Sequence, residues 1–368
     1  MSAIVFCSFT FVYLYFFKAD VMAVSQQILS HGATHYNRLV GAVLITAGLY
    51  VLQLGVFALT RLSKRAHALT YLPSMLVLAV LTDLQPVVRH SLGAWWWLIP
   101  LVVILWLLAV GITRAYQPYE PDNDTFGLFS RVMWVNLLTL VLMMFAVGLA
   151  SHTPDVQQYR MRVESYLEAG DIEQALATGK RSSQTDATLV MLRAYALSRN
   201  GAMGEQLFRY PIVGSSDQLL PVLHGQSSVL LSADSIYKHL GARPARPMRV
   251  RRYLQLLLQN GKDTAVVRDY ILCAQLIDRQ LDAFARTLPD YYAINDSLPK
   301  HYQEALTLYK HLRAHPVVDF SNPVMETDYK DLRALERQHP AERDRQRAVA
   351  EQYRETYWYY YEYGGAGE

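Results

Sequence analysis

The sequence predicts an all-α protein in two parts, a bundle of about five transmembrane helices over residues 1–152 and a soluble α-solenoid over residues 153–368. Three observations carry this expectation. Five apolar stretches fill the first 150 residues, and the next 218 contain none long enough to cross a bilayer. Beyond Asp155, apolar residues recur at helical spacing, as in Met191, Ala194, Tyr195 and Leu197, or Val267, Ile271, Ala274 and Ile277. Turn-forming Gly and Pro (Pro211, Gly214, Pro221, Gly241, Pro244, Pro247) fall between these runs rather than within them.

A span needs about 20 mostly apolar residues to cross roughly 30 Å of hydrocarbon. Ser2–Phe17 is short and reaches that length only by continuing past Lys18 and Asp20 to about Val24. Leu39–Leu59 carries no charge, and Ala68–Leu84 is apolar up to Asp83. Trp95–Ile112 and the uncharged Val132–Ala150 complete the set. Lipid offers the backbone no partners, so these stretches are read as helices rather than strands. Trp95, Trp96, Trp97 and Trp134 stand where an interfacial aromatic belt is expected. The first stretch lacks a charged leader and a small-residue cleavage site, which argues against a cleaved signal peptide.

Orientation follows the Lys and Arg residues of short loops. With five spans, Arg61, Lys64, Arg65, Arg114 and Arg131 fall on one side, and Lys18, Arg38 and Arg89 on the other. The first side is therefore cytoplasmic, and the C-terminal domain extracytoplasmic. Arg160 and Arg162 belong to a long domain, whose translocation is largely independent of charge, and are discounted. Cys7 and Cys273 lie in different environments and suggest neither a disulfide nor a metal site.

From Asp155 onward there are 27 Lys and Arg against 27 Asp and Glu, a balanced domain large enough for its own core. The stretch Tyr166–Asp171 followed by Ala175 and Leu176 joins an aromatic, a Gly-bearing turn and a small Ala that admits a second helix. Ala194–Leu197 with Asn200–Gly201 repeats this 31 residues later, and Asn260–Asp263 repeats it again. Tyr302–Leu306 with Tyr309 and Pro316 has the form of a second helix and closing proline. These segments resemble tetratricopeptide units over about half of the domain. The resemblance implies a degenerate tetratricopeptide-like solenoid that stacks short helices to bury their apolar faces. Three departures qualify it: the period drifts from about 34, Gly179 replaces a bulky residue, and Ser215–Leu231 interrupts the array.

A second resemblance spans the whole chain. Leu14–Phe17, Thr34–Tyr36, Leu81–Asp83, Pro299–Leu306 and Thr356–Tyr361 are similar to an uncharacterised family of bacterial polytopic membrane proteins with helical-repeat C-termini. It implies a bacterial inner-membrane setting and no particular chemistry.

Asp83 is an acid at the end of an apolar run, followed by Arg89 and His90. Such a residue either pairs locally at the interface or serves a substrate or headgroup site. The second reading resembles, in architecture alone, lipid-linked-sugar glycosyltransferases, which have many more spans. His31 and His35, like His311 and His315, sit four apart, but no third ligand is spaced to complete a metal site. No nucleotide-binding or hydrolase motif is present, so no cofactor and no soluble-domain catalysis are expected.

Arg243, Arg246, Arg249, Arg251 and Arg252 form a basic run, with no acid between Ser235 and Lys262. It is either a solvated loop or a site for an acidic peptide or anionic headgroups, since guanidinium groups present a planar fork of donors. Nucleic acid is excluded by the neutral charge of the domain and the lack of a binding motif. In the C-terminal run, Tyr357, Tyr360 and Tyr361 share a helical face. Tyr357, Trp358 and Tyr360 either pack against the last repeat or present a binding surface. Taken together, these features predict a non-enzymatic membrane-anchored scaffold that binds a protein or peptide partner. The alternative is a membrane enzyme or transporter acting on a lipid-linked substrate around Asp83, Arg89 and His90.

Overall fold

Every regular element among the described residues is helical. The structure is a computed structural model that describes residues 1–30, 34, 36–83, 93–119, 130–151, 154–221 and 230–364. It divides into two compact units, Met1–Pro154 and Asp155–Glu368.

The first unit opens with α1 (Ser2–Val12), which runs into a π-helical stretch Tyr13–Phe17 and then bends by 72° at Lys18 into α2 (Ala19–Leu29). Aromatic pairs four residues apart line the first segment: Phe9 stacks on Tyr13 at 5.4 Å and Phe11 on Tyr15 at 5.6 Å. Helix α3 (Arg38–Thr60) is started by the Asn37 side chain, which accepts from the amides of Leu39 and Val40 at 3.1 and 3.2 Å. Helix α4 (Leu72–Leu81), α5 (Trp95–Tyr116) and α6 (Arg131–Ala150, capped by Ser130) complete the unit.

Three of these helices, α3, α5 and α6, are long and apolar enough to cross a membrane, and the bent pair Ser2–Phe17 with Ala19–Gln26 makes a fourth if it counts as one span. Against the expected five or so spans, the count by length and composition among the described residues is three to four. The stretch expected as Ala68–Leu84 is no single α-helix: Lys64–Tyr71 is a 3₁₀ helix, and α4 has only ten residues, about 15 Å of rise. Pro73 lies in the first turn of α4, where its missing N–H and the restriction it places on the preceding residue favour a change of helix type.

Side chains of neighbouring helices hold this 3₁₀ segment. Asn136 of α6 accepts from the Ala68 amide at 2.8 Å and donates to the Lys64 carbonyl at 2.8 Å. Gln53 of α3 donates to Thr70 at 2.9 Å, and the Trp106 indole of α5 to the Leu69 carbonyl at 2.9 Å. Further along, Ser74 donates to the Leu49 carbonyl at 2.8 Å. The segment thus runs antiparallel to α3 and alongside α6, and Phe6 of α1 packs on it with its ring 5.0 Å from that of Tyr71. Phe6, Leu49, Leu78 and Leu140 fill the centre, while Leu44, Leu59, Ile104, Leu142 and Phe145 face outward. An apolar exterior on this scale is unusual for a surface exposed to water.

The second unit contains α7 (Asp155–Ala169), α8 (Ile172–Ala177), α9 (Ala187–Arg199), α10 (Met203–Gln206), α11 (Ala233–Leu240), α12 (Val250–Gln259) and α13 (Ala265–Ile277). It continues with α14 (Leu281–Thr287), α15 (Lys300–Leu312), α16 (Pro323–Gln338), α17 (Glu342–Tyr353) and α18 (Tyr357–Tyr363). Four of its turns share one hydrogen-bond pattern. After α7, α9, α12 and α13 a residue with positive φ (Gly170, Gly201, Gly261, Arg279) is followed by an amide that bonds back five residues. These bonds are Asp171 to Tyr166, Ala202 to Leu197, Lys262 to Leu257 and Gln280 to Gln275, at 2.8 to 2.9 Å. This is the Schellman closure of a helix C-terminus. Glycine adopts the left-handed conformation freely, whereas Arg279 at φ 55 bears a cost of about 1–2 kcal/mol. In return its guanidinium bonds the Tyr360 and Gly364 carbonyls at the end of α18.

Helix α9 packs on α7 and α8, α10 on α13 and α15, α14 on α13 and α15, and α18 back onto α15. Small residues at the crossings, Ala194, Ala196, Ala274 and Ala305, are buried together with Phe208, Phe284 and Tyr302.

Candidate functional site

In the first unit Tyr13, Lys18, Asp83 and Ser151 meet at one end of the bundle. Asp83 follows α4 directly, and its Oδ2 accepts from the Trp95 indole at 2.7 Å. Lys18, at the 72° bend, is only 6% exposed; it donates to the Ser151 carbonyl and lies within electrostatic reach of Asp83. Tyr13 bonds the Ser151 hydroxyl, and nearby in the chain Arg38 pairs with Asp20 at 2.9 Å. Arg89 and His90, expected beside Asp83, lie outside the described residues, as do His31 and His35. The partners brought to Asp83 are thus Trp95 and Lys18, which the sequence shows only as a belt residue and as an interruption of an apolar run.

Beside Asp83 a cavity of about 620 Å³ opens between α4, α5 and α6. Met75, Ala79, Leu98, Val102, Met143 and Ala146 form much of its wall, and Asp83 is its one ionisable lining residue among the described residues. Its size is that of a small-molecule pocket, about 300–1,000 Å³.

In the second unit the basic run is split by its partners. Arg243 pairs with Asp234 at 2.7 Å, and Arg251 approaches Asp278 at 3.9 Å. Arg246, Arg249 and Arg252 are exposed and make no ion pair among the described residues. They flank the start of α12, whose Val250 amide is held by Asp217 at 3.0 Å. A shallow pocket of about 390 Å³ lies there, lined by Tyr237, Pro244, Pro247, Met248, Arg249 and Tyr253 among others.

The binding role considered for the C-terminal aromatics is corrected at two positions. Tyr357 and Trp358 are buried, and their backbone and indole N–H groups bond Glu304 of α15, so neither offers a face to a partner. Tyr360 is half-buried, with its hydroxyl on the Ile277 carbonyl at 2.9 Å. His311 bonds Glu326 at 2.8 Å and stacks on Tyr329, an ordinary surface pairing. Among the described residues no three His, Cys, Asp or Glu side chains are grouped to hold a metal ion. Burial pushes the Cys273 thiol up from its usual range, so it is a core residue rather than a nucleophile. Asp269 accepts from Tyr292 at 2.6 Å and Tyr302 at 3.0 Å, and burial holds its carboxyl above the ordinary range. Tyr302 is fully buried and Asp269 and Tyr292 half-buried, so the network ties α13 to α15 at the edge of the core.

Fold and site together define an all-helical protein with three to four helices apolar enough to cross a membrane and a second, separate helical unit. The chain matches the family of unknown function DUF6057 over residues 85–243 and 248–364, and belongs to it. No curated protein and no solved structure matches the chain. The break between the two matched segments, 244–247, falls inside the arginine-bearing loop.

Proposed function

We propose that the chain is a membrane-anchored scaffold of the bacterial inner membrane, whose extracytoplasmic helical unit binds an acidic protein or peptide. The observation that carries this reading is the exposed arginine trio Arg246, Arg249 and Arg252, of which Arg249 lines a pocket together with Pro, Met and Tyr side chains and Asp217, whose carboxylate is engaged by the Val250 amide. An acidic segment with an apolar anchor suits that combination, the guanidinium groups taking carboxylates and the pocket taking the anchor.

The second unit is read as a degenerate tetratricopeptide-like solenoid, supported by the four equivalent turns and by helix pairs that contact the next pair. Five segments of the first unit cross the bilayer in this reading. The 3₁₀ stretch Lys64–Tyr71 and α4 together rise about 31 Å, enough for the hydrocarbon core. Their contacts with α3 and α6 place Arg61, Lys64, Arg65 and Arg131 at one end, and Lys18, Asp83 and Ser151 at the other. The basic end is cytoplasmic by the positive-inside rule. The chain leaves α6 at Ser151, on the opposite side. A reporter active only in the cytosol, fused to the C-terminus, stays silent in this orientation, and a bright signal would reverse it.

The functional test is salt dependence. The Debye length shrinks from about 10 Å at 0.1 M salt to about 3 Å at 1 M, so partner capture through exposed arginines should weaken steeply over that range. A triple variant, Arg246→Glu, Arg249→Glu and Arg252→Glu, should lose capture of the crosslinked partner while its melting temperature stays within a degree or two, because exposed charges contribute little to stability. Salt-independent capture that survives the triple variant would place the partner face elsewhere.

A further inference from the structure

We propose that the second unit binds the C-terminal end of a short peptide in the cleft beside Arg279, with the free carboxylate on that guanidinium. The inference uses the second unit alone and rests neither on the scaffold reading nor on the arginine trio.

Backbone conformation singles out the position. Gly170, Gly201 and Gly261 close the three sister turns, whereas Arg279 takes the same left-handed conformation at φ 55. A side chain retained there at a cost of about 1–2 kcal/mol is kept for what its head group does. One task is to hold α18, but both of those bonds, to the Tyr360 and Gly364 carbonyls, come from Nη2. Among the described residues Nε and Nη1 bond nothing, and no acid pairs with the guanidinium. The adjacent Asp278 is committed elsewhere. It accepts from the Ser216 amide at 2.9 Å and hydroxyl at 2.8 Å, with Arg251 at 3.9 Å. With Asp278 balanced by Arg251, the Arg279 charge is uncompensated among the described residues.

Arg279 lines a cavity of about 920 Å³ between the loops 183–185 and 211–218 and the ends of α13 and α18. Donors converge on it. The buried Thr185 hydroxyl bonds no described residue, and the exposed Gln184 side chain makes no hydrogen bond among them. Gln218 has its Oε1 on the Ser215 amide at 2.6 Å and hydroxyl at 3.2 Å, which leaves its Nε2 unengaged. Such a wall calls for acceptors, and the uncompensated charge calls for one anion. A peptide's C-terminus supplies both. Its carboxylate matches the planar guanidinium fork, and its backbone amides pair with the Gln184 side chain, itself donor and acceptor. Ile212 and Val213 in the same wall give the last side chain an apolar surface.

The test is affinity selection read by native mass spectrometry. The full-length protein in detergent is offered mixed-sequence tetrapeptides, made once as free acids and once as C-terminal amides. The acids should be retained about tenfold better or more, the scale of one charge-assisted hydrogen bond. Arg279→Gly restores the residue of the sister turns, so it should erase that preference while the melting temperature changes by no more than a few degrees. Val213→Trp, at an exposed position on the wall, should abolish retention of both pools by filling the cleft. Equal retention of acids and amides by the unaltered protein, at any level, would overturn the carboxylate site, and that comparison needs no variant. An acid preference that survives in a folded Arg279→Gly protein would overturn Arg279 as its partner. Glucuronate or inorganic phosphate displacing the acids at equimolar concentration would reassign the cleft to a sugar acid or a phosphate. A chain ending at Gly364 that retains the acids far better than the parent would mean that the protein's own terminal carboxylates serve Arg279, which overturns an external ligand.

Discussion

Glu304→Ala should destabilise the second unit by about 3–5 kcal/mol, the scale on which removing one member of a buried charged pair acts, and should release its C-terminal helix. Glu304 on α15 is 1% exposed, so its carboxylate has almost no water to fall back on. One oxygen accepts both from the fully buried His301 ring at 2.9 Å and from the Tyr357 amide at 2.7 Å. Lys300 stands 3.6 Å from the other oxygen. The Tyr357 amide is one of the orphan donors at the start of α18, and Thr356 caps a second by accepting from the Tyr359 amide at 3.2 Å. The backbone carbonyl of Glu304 meanwhile takes the Trp358 indole at 2.7 Å. Truncation leaves the His301 ring and a helix-initiating amide unpaired in the core and opens a cavity beside Tyr357. Glu304→Gln keeps an acceptor for the amide and should cost less, about 1–2 kcal/mol for the lost charged bond. Trypsin cleavage at Arg354 provides the readout: the alanine variant should be cut there far faster than the parent, with a lowered melting temperature. Equal resistance of the two proteins would mean that α18 is held by its tyrosines alone.

That contact also shows why part of the fold was legible and part was not. The apolar lengths of Leu39–Leu59, Trp95–Ile112 and Val132–Ala150 are a local property, and helices α3, α5 and α6 appear close to those limits. Gly170, Gly201 and Gly261 mark their turns openly, because left-handed backbone favours glycine. The fourth turn of the set is hidden, since an arginine occupies the position and is compensated by carbonyls more than 80 residues away. Periodicity identified the shared face of Tyr357 and Tyr360 but not what it meets, because the deciding contacts come from Glu304 and from Leu276 and Ile277. The stretch from Ser235 to Lys262 carries no acid, yet Arg243 and Arg251 are paired from outside it by Asp234 and Asp278. The Asp83 neighbourhood depends on Lys18 and Trp95, and no spacing rule links those positions.

The deepest miss is the helix type of Lys64–Tyr71, because hydropathy does not distinguish a 3₁₀ from an α-helix, and it leads to the second large expected effect. Asn136→Leu should destabilise the first unit by about 2–6 kcal/mol, the loss of two bonds to backbone groups cut off from water. Asn136 is 6% exposed and bridges two elements: it accepts from the Ala68 amide at 2.8 Å and donates to the carbonyls of Lys64 at 2.8 Å and Val132 at 3.0 Å. Leucine has the same branched heavy-atom skeleton and is more apolar, so a simple hydropathy argument expects it to be neutral or favourable in a span. The hydrogen-bond argument gives the opposite sign, because in the proposed bilayer setting lipid provides no replacement acceptor for the buried Ala68 amide. Thermal unfolding of the purified protein in lipid nanodiscs measures the difference, and a cysteine introduced at Ala66 reports whether the segment has come loose. A lower melting temperature with faster thiol labelling at that site is the expected outcome. An Asn136→Leu protein as stable as the parent would mean that water satisfies these backbone groups, which would move Lys64–Tyr71 out of the hydrocarbon and reduce the number of crossing segments.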